Sequence, residues 1–221
     1  MNRSTLTIGI LEKCGIPLSA SVLDAGCGNG ETLKLLKERG YTHLFGLDTD
    51  PIHVAHTKSV VDIPVVETDI LSASFADSFD VILLLDVLEH VTRGTEQLVL
   101  DKLCSMLSKN GVLIISVPYR GWAALFDPAN LKKVFTANTT APWHRHYSFR
   151  RIRTYLVGHP LVAYERRGIG LSQLARLVTA PLRRIPSLRS PILSKIARIG
   201  GYDYSLSAGP FSYHLMVAIR K

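Results

Sequence analysis

Val22-Leu23-Asp24-Ala25-Gly26-Cys27-Gly28-Asn29-Gly30 is an apolar run that closes in an acid and continues into three glycines at alternate positions. The run has the length and character of a buried strand, and the glycines permit a sharp turn that lays backbone N–H groups open to a ligand. Glu31 to Arg39 follows with the spacing of a helix. A strand, a glycine turn and a helix make the ligand-binding corner of a doubly wound α/β sheet, where ligands sit beyond the carboxyl ends of the strands.

The spacing speaks against NAD. A dinucleotide corner carries G-x-G-x-x-G/A, whereas this one reads G-x-G-x-G and then Glu31, whose carboxylate occupies the positive end of the helix dipole where a pyrophosphate would sit. The stretch resembles the first motif of class I S-adenosylmethionine-dependent methyltransferases, a hydrophobic strand followed by D-x-G-C-G-x-G. Asp24, Gly26, Cys27, Gly28 and Gly30 stand in the matching places, and the resemblance continues at the expected intervals to about Tyr119. It implies a Rossmann-like, mostly parallel seven-stranded sheet whose last strand is antiparallel. It also implies the cofactor S-adenosylmethionine (SAM), released as S-adenosylhomocysteine (SAH). In such a site the glycines let the backbone approach the methionine half of the cofactor, and Asp24 holds its ammonium group directly or through water. A glycine turn alone also fits other α/β proteins, so the downstream residues decide.

His43-Leu44-Phe45-Gly46-Leu47-Asp48 reads as the second strand, again closing in an acid. A carboxylate at that tip can accept hydrogen bonds from both hydroxyls of a ribose, which makes Asp48 the expected ribose ligand. Asp50-Pro51 just behind it supplies the helix cap. Ile63 to Glu67 is a short third strand; the resemblance places Asp69 on the adenine amino group and Ile70 against the ring. Phe79 to Asp86 is nearly continuously apolar, the signature of a strand buried on both faces. It leads into Val87-Leu88-Glu89-His90-Val91, similar to the D-x-L-E-H-V that the family often carries beside the sulfonium, so Asp86 joins the cofactor-side residues. On a helical turn Asp86, Glu89 and His90 would share one face, and some quinone O-methyltransferases hold a metal with E-x-x-E-H. Asp86 replaces the first Glu of that pattern, and the segment is read as cofactor-side framework with no metal. Thr92 to Leu107 has helical spacing, Lys109-Asn110-Gly111 is a turn, and Val112 to Pro118 is the fifth strand.

Residues 119–147 form a long connection carrying Trp122, Phe126, Asp127-Pro128, Trp143, His144, Arg145, His146 and Tyr147. Connections of this length inside a compact domain are usually functional, and this one is the candidate acceptor loop. His144, His146 and His90 are the candidate general bases for a hydroxyl acceptor, with solvated loop residues as the alternative for the first two. Ser148 to Val157 reads as a helix capped by Ser148, Leu161 to Glu165 as the sixth strand and Ser212 to Arg220 as the seventh.

The 221 residues suit one methyltransferase domain, 1–221, and 47% hydrophobic with 20% charged residues suits a globular protein. Cys14, Cys27 and Cys104 form neither a disulfide framework nor a metal-ligand pattern, which fits a reducing cytoplasm. Neither a signal peptide nor a transmembrane segment is read.

The charge is concentrated. Between Arg166 and Tyr202 stand eight basic residues, Arg166, Arg167, Arg176, Arg183, Arg184, Arg189, Lys195 and Arg198, and no acid. Without those eight, the 26 Lys and Arg become 18, equal to the 18 Asp and Glu, so the formal charge of +8 resides here. Apolar residues alternate with these charges at largely helical spacing, broken by Pro181, Pro186 and Pro191. The 166–207 segment is therefore read as a basic amphipathic insertion that docks on an anionic membrane surface at the inner face of a membrane, through residues 166–202. Packing on the sheet with a solvated basic face is the plainer alternative. With no aromatic before Tyr202 to stack on bases, nucleic acid is not expected as a partner. The expected acceptor is a lipid, a prenylated quinone or a lipid-linked sugar. A soluble small molecule, or a SAM-binding regulatory protein without turnover, are the alternatives.

Overall fold

The computed structural model describes residues 2–121, 145–168, 175, 179, 186–203, 205–207 and 209–221. Its sheet has seven strands: β1 (Ser21–Ala25), β2 (His43–Asp48), β3 (Val65–Glu67), β4 (Phe79–Leu85), β5 (Leu107–Pro118), β6 (Leu161–Arg167) and β7 (His214–Arg220). The order across the sheet is β3-β2-β1-β4-β5-β7-β6. β1 pairs in parallel with β2 and β4, β2 with β3, and β4 with β5. β7 runs the other way: Tyr119, just after β5, bonds Tyr213, just before β7, at 2.6 Å, and Lys221 after β7 bonds Gly111 early in β5 at 2.9 Å. This is the expected doubly wound, mostly parallel sheet with an antiparallel last strand.

By its internal packing the chain forms two compact units. One comprises Ser4–Val117, Phe149–Tyr164 and Met216–Lys221; the other comprises Met1–Arg3, Pro118–Ser148 and Glu165–Leu215.

The core of the first unit follows from β4 and β5. Val81, Ile82, Leu83 and Leu84 are fully buried, as are Val112, Leu113 and Ile114. Each such side chain contributes about 1.5–3 kcal/mol by leaving water. Burial of successive residues along both strands is the pattern of strands covered on both faces of a parallel sheet. α1 (Arg3–Lys13), a helix the sequence did not announce, buries Leu6, Ile8, Ile10 and Leu11. Its Ser4 hydroxyl meets Thr32 of α2 (Glu31–Glu38) at 2.9 Å in the interior. α2 ends where Gly40 was expected to stop it: Tyr41 N–H reaches Leu36 O at 3.1 Å and Gly40 N–H reaches Lys37 O at 3.0 Å, the paired bonds of a glycine-terminated helix. α3 (Pro51–Val61) starts as the Asp50-Pro51 pair dictates, with Ile52 N–H donating to Asp50 at 2.8 Å. α4 (Glu96–Met106) and α5 (Phe149–Tyr155) complete this unit.

Three local expectations change. β5 begins at Leu107 rather than Val112, and its register on β4 shifts between Phe79 and Val81. Lys109-Asn110-Gly111 is the irregularity that absorbs the extra residues, with Asn110 at φ 67°. α6 (Pro186–Asp203) is one helix with Pro191 inside it. Pro186 stands at its first position, where a missing N–H costs nothing, whereas Pro191 lies inside the helix and forgoes one backbone bond without ending it. The third change, at Asp86, belongs to the site. Pro181 lies outside the described residues. Among the described residues no helix is long and apolar enough to cross a membrane.

Candidate active site

The loop after β1 folds toward β2. Gly26 and Cys27 both donate their N–H to Leu47 O, at 2.8 and 3.0 Å, and Gly30 N–H closes the turn on Cys27 O at 3.0 Å. Gly26, Gly28 and Gly30 take φ of 84°, 52° and 74°, a region that costs an L side chain about 1–2 kcal/mol. The three do different work. A Cβ on Gly26 would collide with Val87, and one on Gly30 would meet Thr57 Cγ2 at 2.7 Å, so these two glycines allow close packing. A Cβ on Gly28 would meet nothing within 4 Å. The backbone at Gly28 therefore faces open space at the carboxyl end of the sheet, as a ligand-facing peptide must.

Of the predicted acids, Asp48 meets that peptide directly, and the others stand at or just after the ends of their strands. Asp24 is 2% exposed at the end of β1. Asp48, half-buried at the end of β2, accepts from Gly28 N–H through Oδ2 at 2.8 Å and from Asp50 N–H through Oδ1 at 3.0 Å. His53 on the first turn of α3 lies 3.7 Å from Asp48 and 3.8 Å from Asp50. Asp69 is exposed, and its Oδ1 accepts from the N–H groups of Leu71 and Ser72 at 2.9 and 3.1 Å; hydrogen bonds from Ser72 hold its carboxyl below the usual range. Ile70 beside it is buried. Cys27 is a neutral thiol: burial first, and then the charges of Asp24 and Asp48, push it up to about 12.

Asp86 departs from the helical-face reading. It takes φ 58°, its N–H bonds Ser116 O at 3.0 Å, and its carboxylate accepts from Ser116 Oγ at 2.5 Å. Leu88-Glu89-His90 forms a turn closed by His90 N–H on Val87 O at 2.8 Å, so Asp86 does not share a helix face with Glu89 and His90. Glu89 is 5% exposed, whereas His90 is exposed. Among the described residues no three His, Cys, Asp or Glu side chains are grouped as metal ligands.

The other acceptor-side candidates belong to the second unit. His146 is half-buried, its ring edge-on to Tyr213 with centroids 6.0 Å apart. The two ends of the 119–147 connection meet: Tyr119 bridges Tyr147, Tyr147 N–H reaches Pro118 O at 2.8 Å, and Arg120 N–H reaches Tyr147 O at 2.9 Å. Arg166 Nη1 donates to the Tyr119 hydroxyl at 3.2 Å, its guanidinium 5.5 Å from the ring centroid. Arg166 and Arg167 are residues of β6, and Arg167 forms a two-pronged pair with Glu165 at 2.6 and 2.8 Å. These first two charges of the basic segment thus belong to the sheet. Trp122, Phe126, Asp127-Pro128, Trp143 and His144, with Arg176, Arg183 and Arg184, lie outside the described residues.

Sequence reasoning passed over Thr57, Val87, Ser116 and His53. Val87 and Ser116 sit in quoted segments, but nothing in their spacing marks what they touch. Thr57 stands 29 residues from Gly28, and only the folded chain brings it there.

The family described as a methyltransferase domain matches residues 3–156. Two curated relatives are named ubiquinone biosynthesis O-methyltransferase. That of Xanthomonas axonopodis is 28% identical over 79% of this chain and 72% of its own. That of Rhodopseudomonas palustris is 23% identical over 70% of this chain, which spans 63% of the relative's length. Among solved structures, magnesium protoporphyrin IX methyltransferase from Synechocystis with bound SAH has a TM-score of 0.65 at 15% identity, covering 99% of this chain and 81% of its own. At that identity the likeness is one of fold.

Proposed function

The chain belongs to the methyltransferase-domain family, and on that premise we propose that it carries the methyl group of SAM to a hydroxyl of a lipid-borne acceptor, a prenylated quinone precursor above all. The observation that carries the cofactor part is the Gly28 peptide, which faces open space while its N–H is held by Asp48. The O-methyl and quinone parts are supported by the names of the two curated relatives. The lipid surface is supported by the basic residues and interleaved apolar residues between Arg176 and Tyr202.

When bound, SAM supplies a sulfonium methyl that a nucleophile takes in a single displacement. This chain's residues then have four tasks. Asp24, an acid in a buried position, offers a carboxylate for the ammonium of the methionine half. Asp48 offers its carboxylate to the ribose hydroxyls, and its bond to Gly28 fixes the loop beside that sugar. Asp69, ionised because of its hydrogen bonds from the turn, would accept from the adenine amino group, and Ile70 would pack on the ring. Asp86 and Ser116 shape the end of β4 and β5 on the methyl side. A positioned, dehydrated acceptor captures most of the available rate, since alignment replaces a bimolecular encounter. A hydroxyl acceptor must also lose a proton, and His90, His146 and His144 are the candidate bases.

The test is incubation with methyl-labelled SAM and host extract separated into lipid, soluble small-molecule, RNA and protein fractions. Label is expected in the lipid fraction. Label in another fraction would overturn the lipid acceptor. SAM binding without any label would favour a cofactor-binding regulatory protein.

A further inference from the structure

The glycine loop is held from two sides, and only one of them was legible as a motif. On one side Asp48 takes the Gly28 N–H at 2.8 Å. On the other, Thr57 Oγ1 donates to the Gly28 carbonyl at 2.8 Å, from the second turn of α3. Thr57 is fully buried, so its hydroxyl must find a partner inside the protein. Its side chain also fills the space above Gly30, with Cγ2 2.7 Å and Oγ1 2.9 Å from where a Cβ on Gly30 would lie. Thr57 also lies within hydrogen-bonding reach of the Cys27 thiol, which burial keeps protonated. One side chain thus reaches Cys27, Gly28 and Gly30.

We propose that Thr57 is a positioning residue for the cofactor: its hydroxyl fixes the Gly28 peptide in the left-handed conformation that presents the open face of the loop to SAM. The inference rests on the SAM-binding reading given above and deepens it. Gly28 has no side chain to limit its own rotation, and the space where a Cβ would stand is open. Its conformation is therefore held by the two hydrogen bonds on its peptide groups together with the Gly30 N–H bond to Cys27 O that closes the turn around it. Without the bond to its carbonyl the loop samples other states, and the cofactor must order it again on binding, which lowers affinity without touching the methyl-transfer step. Thr57 does not contact the reacting atoms and is not a catalytic residue.

The test compares the full chain with Thr57→Val, which keeps the shape and removes the hydroxyl, and Thr57→Ser, which keeps the hydroxyl and removes the methyl. SAM and SAH binding are measured by calorimetry, with thermal unfolding of each variant alongside. The expected result is a loss of affinity of about tenfold in Thr57→Val, the size of one lost buried hydrogen bond, and near-wild-type affinity in Thr57→Ser. With turnover in hand, KM for SAM should rise in Thr57→Val while kcat stays within about twofold. Equal affinity of wild type and Thr57→Val would overturn the proposal. So would equal losses in both variants, because packing rather than the hydroxyl would then be at work. If the wild type itself binds neither SAM nor SAH, the SAM-binding reading fails instead, and the two failures are distinct.

Discussion

Asp48 Oδ2 accepts the Gly28 N–H at 2.8 Å, which ties the acid at the tip of β2 to the middle glycine of the loop after β1. The two residues are 20 positions apart and were predicted separately, one for a ribose and one for the methionine half of the same cofactor. Their bond makes them one element. Asp48 places its second oxygen on Asp50 N–H at 3.0 Å, so the carboxylate is oriented by backbone on both sides.

Asp48→Ala should therefore do more than delete a ligand. It should also release the loop, and SAM affinity should fall by at least about tenfold, or about 1.4 kcal/mol. Asp48→Asn keeps one acceptor oxygen and should lie between the two. Calorimetric titration with SAH reads the effect, and unchanged affinity in Asp48→Ala would remove Asp48 from the site.

Gly26 and Gly28 should separate stability from binding. Gly26→Ala drives a methyl into Val87 and imposes a φ of 84°, so urea unfolding should show a loss of about 1–3 kcal/mol. Gly28→Ala adds a methyl in open space at φ 52°, which costs the fold only about 1 kcal/mol. On the proposed reading that methyl would stand where SAM approaches, so SAH binding should drop far more than the melting temperature does.

Cys27 and Cys104 should resist alkylation in the folded protein. Burial pushes their thiols up to about 12 and about 11. At pH 8 the thiolate fraction of Cys27 is then about one in ten thousand. Timed iodoacetamide labelling read by mass spectrometry should show both cysteines modified only as fast as the chain unfolds. Rapid labelling of Cys27 in the native state would contradict the buried, acid-flanked position described here.

Asp80 links the opposite end of the sheet to acid stability. Its carboxylate accepts from Ser21 N–H and Oγ at 3.0 and 3.1 Å and from Ser108 Oγ at 2.9 Å, and these bonds, led by the Ser21 N–H, hold its carboxyl below the usual range. A group lowered in the folded state stabilises above its unfolded value, about 3.9, and loses that contribution as pH falls through its folded value. Wild type should therefore lose melting temperature below about pH 4 more steeply than Asp80→Asn does. Exposure keeps the difference small. Parallel curves for the two proteins from pH 6 to pH 3 would show that Asp80 carries no linkage.

Much of this architecture was legible in the chain because each element carries its own punctuation. The run into Asp24 is apolar up to that acid, Gly40 stops a helix, Asp50-Pro51 starts one, and β2 ends on Asp48 as read. Local chemistry is enough for such features, since they depend on neighbours within a few residues. Asp86 shows the limit. Its spacing to Glu89 and His90 fits a helical face, but the hydroxyl and carbonyl of Ser116, 30 residues on, hold it at φ 58° in a turn.

What the sequence determined by itself is the set of strands, their acids and the glycine turn, because periodicity, capping and backbone freedom are properties of short stretches. What only the tertiary structure decided is which of those residues act together. Parallel pairing brings the ends of β1 and β2 side by side and carries Thr57 of α3 onto Gly28. A hydrogen bond between residues 20 or 29 positions apart leaves no period in the sequence; it exists only once the sheet has set its register.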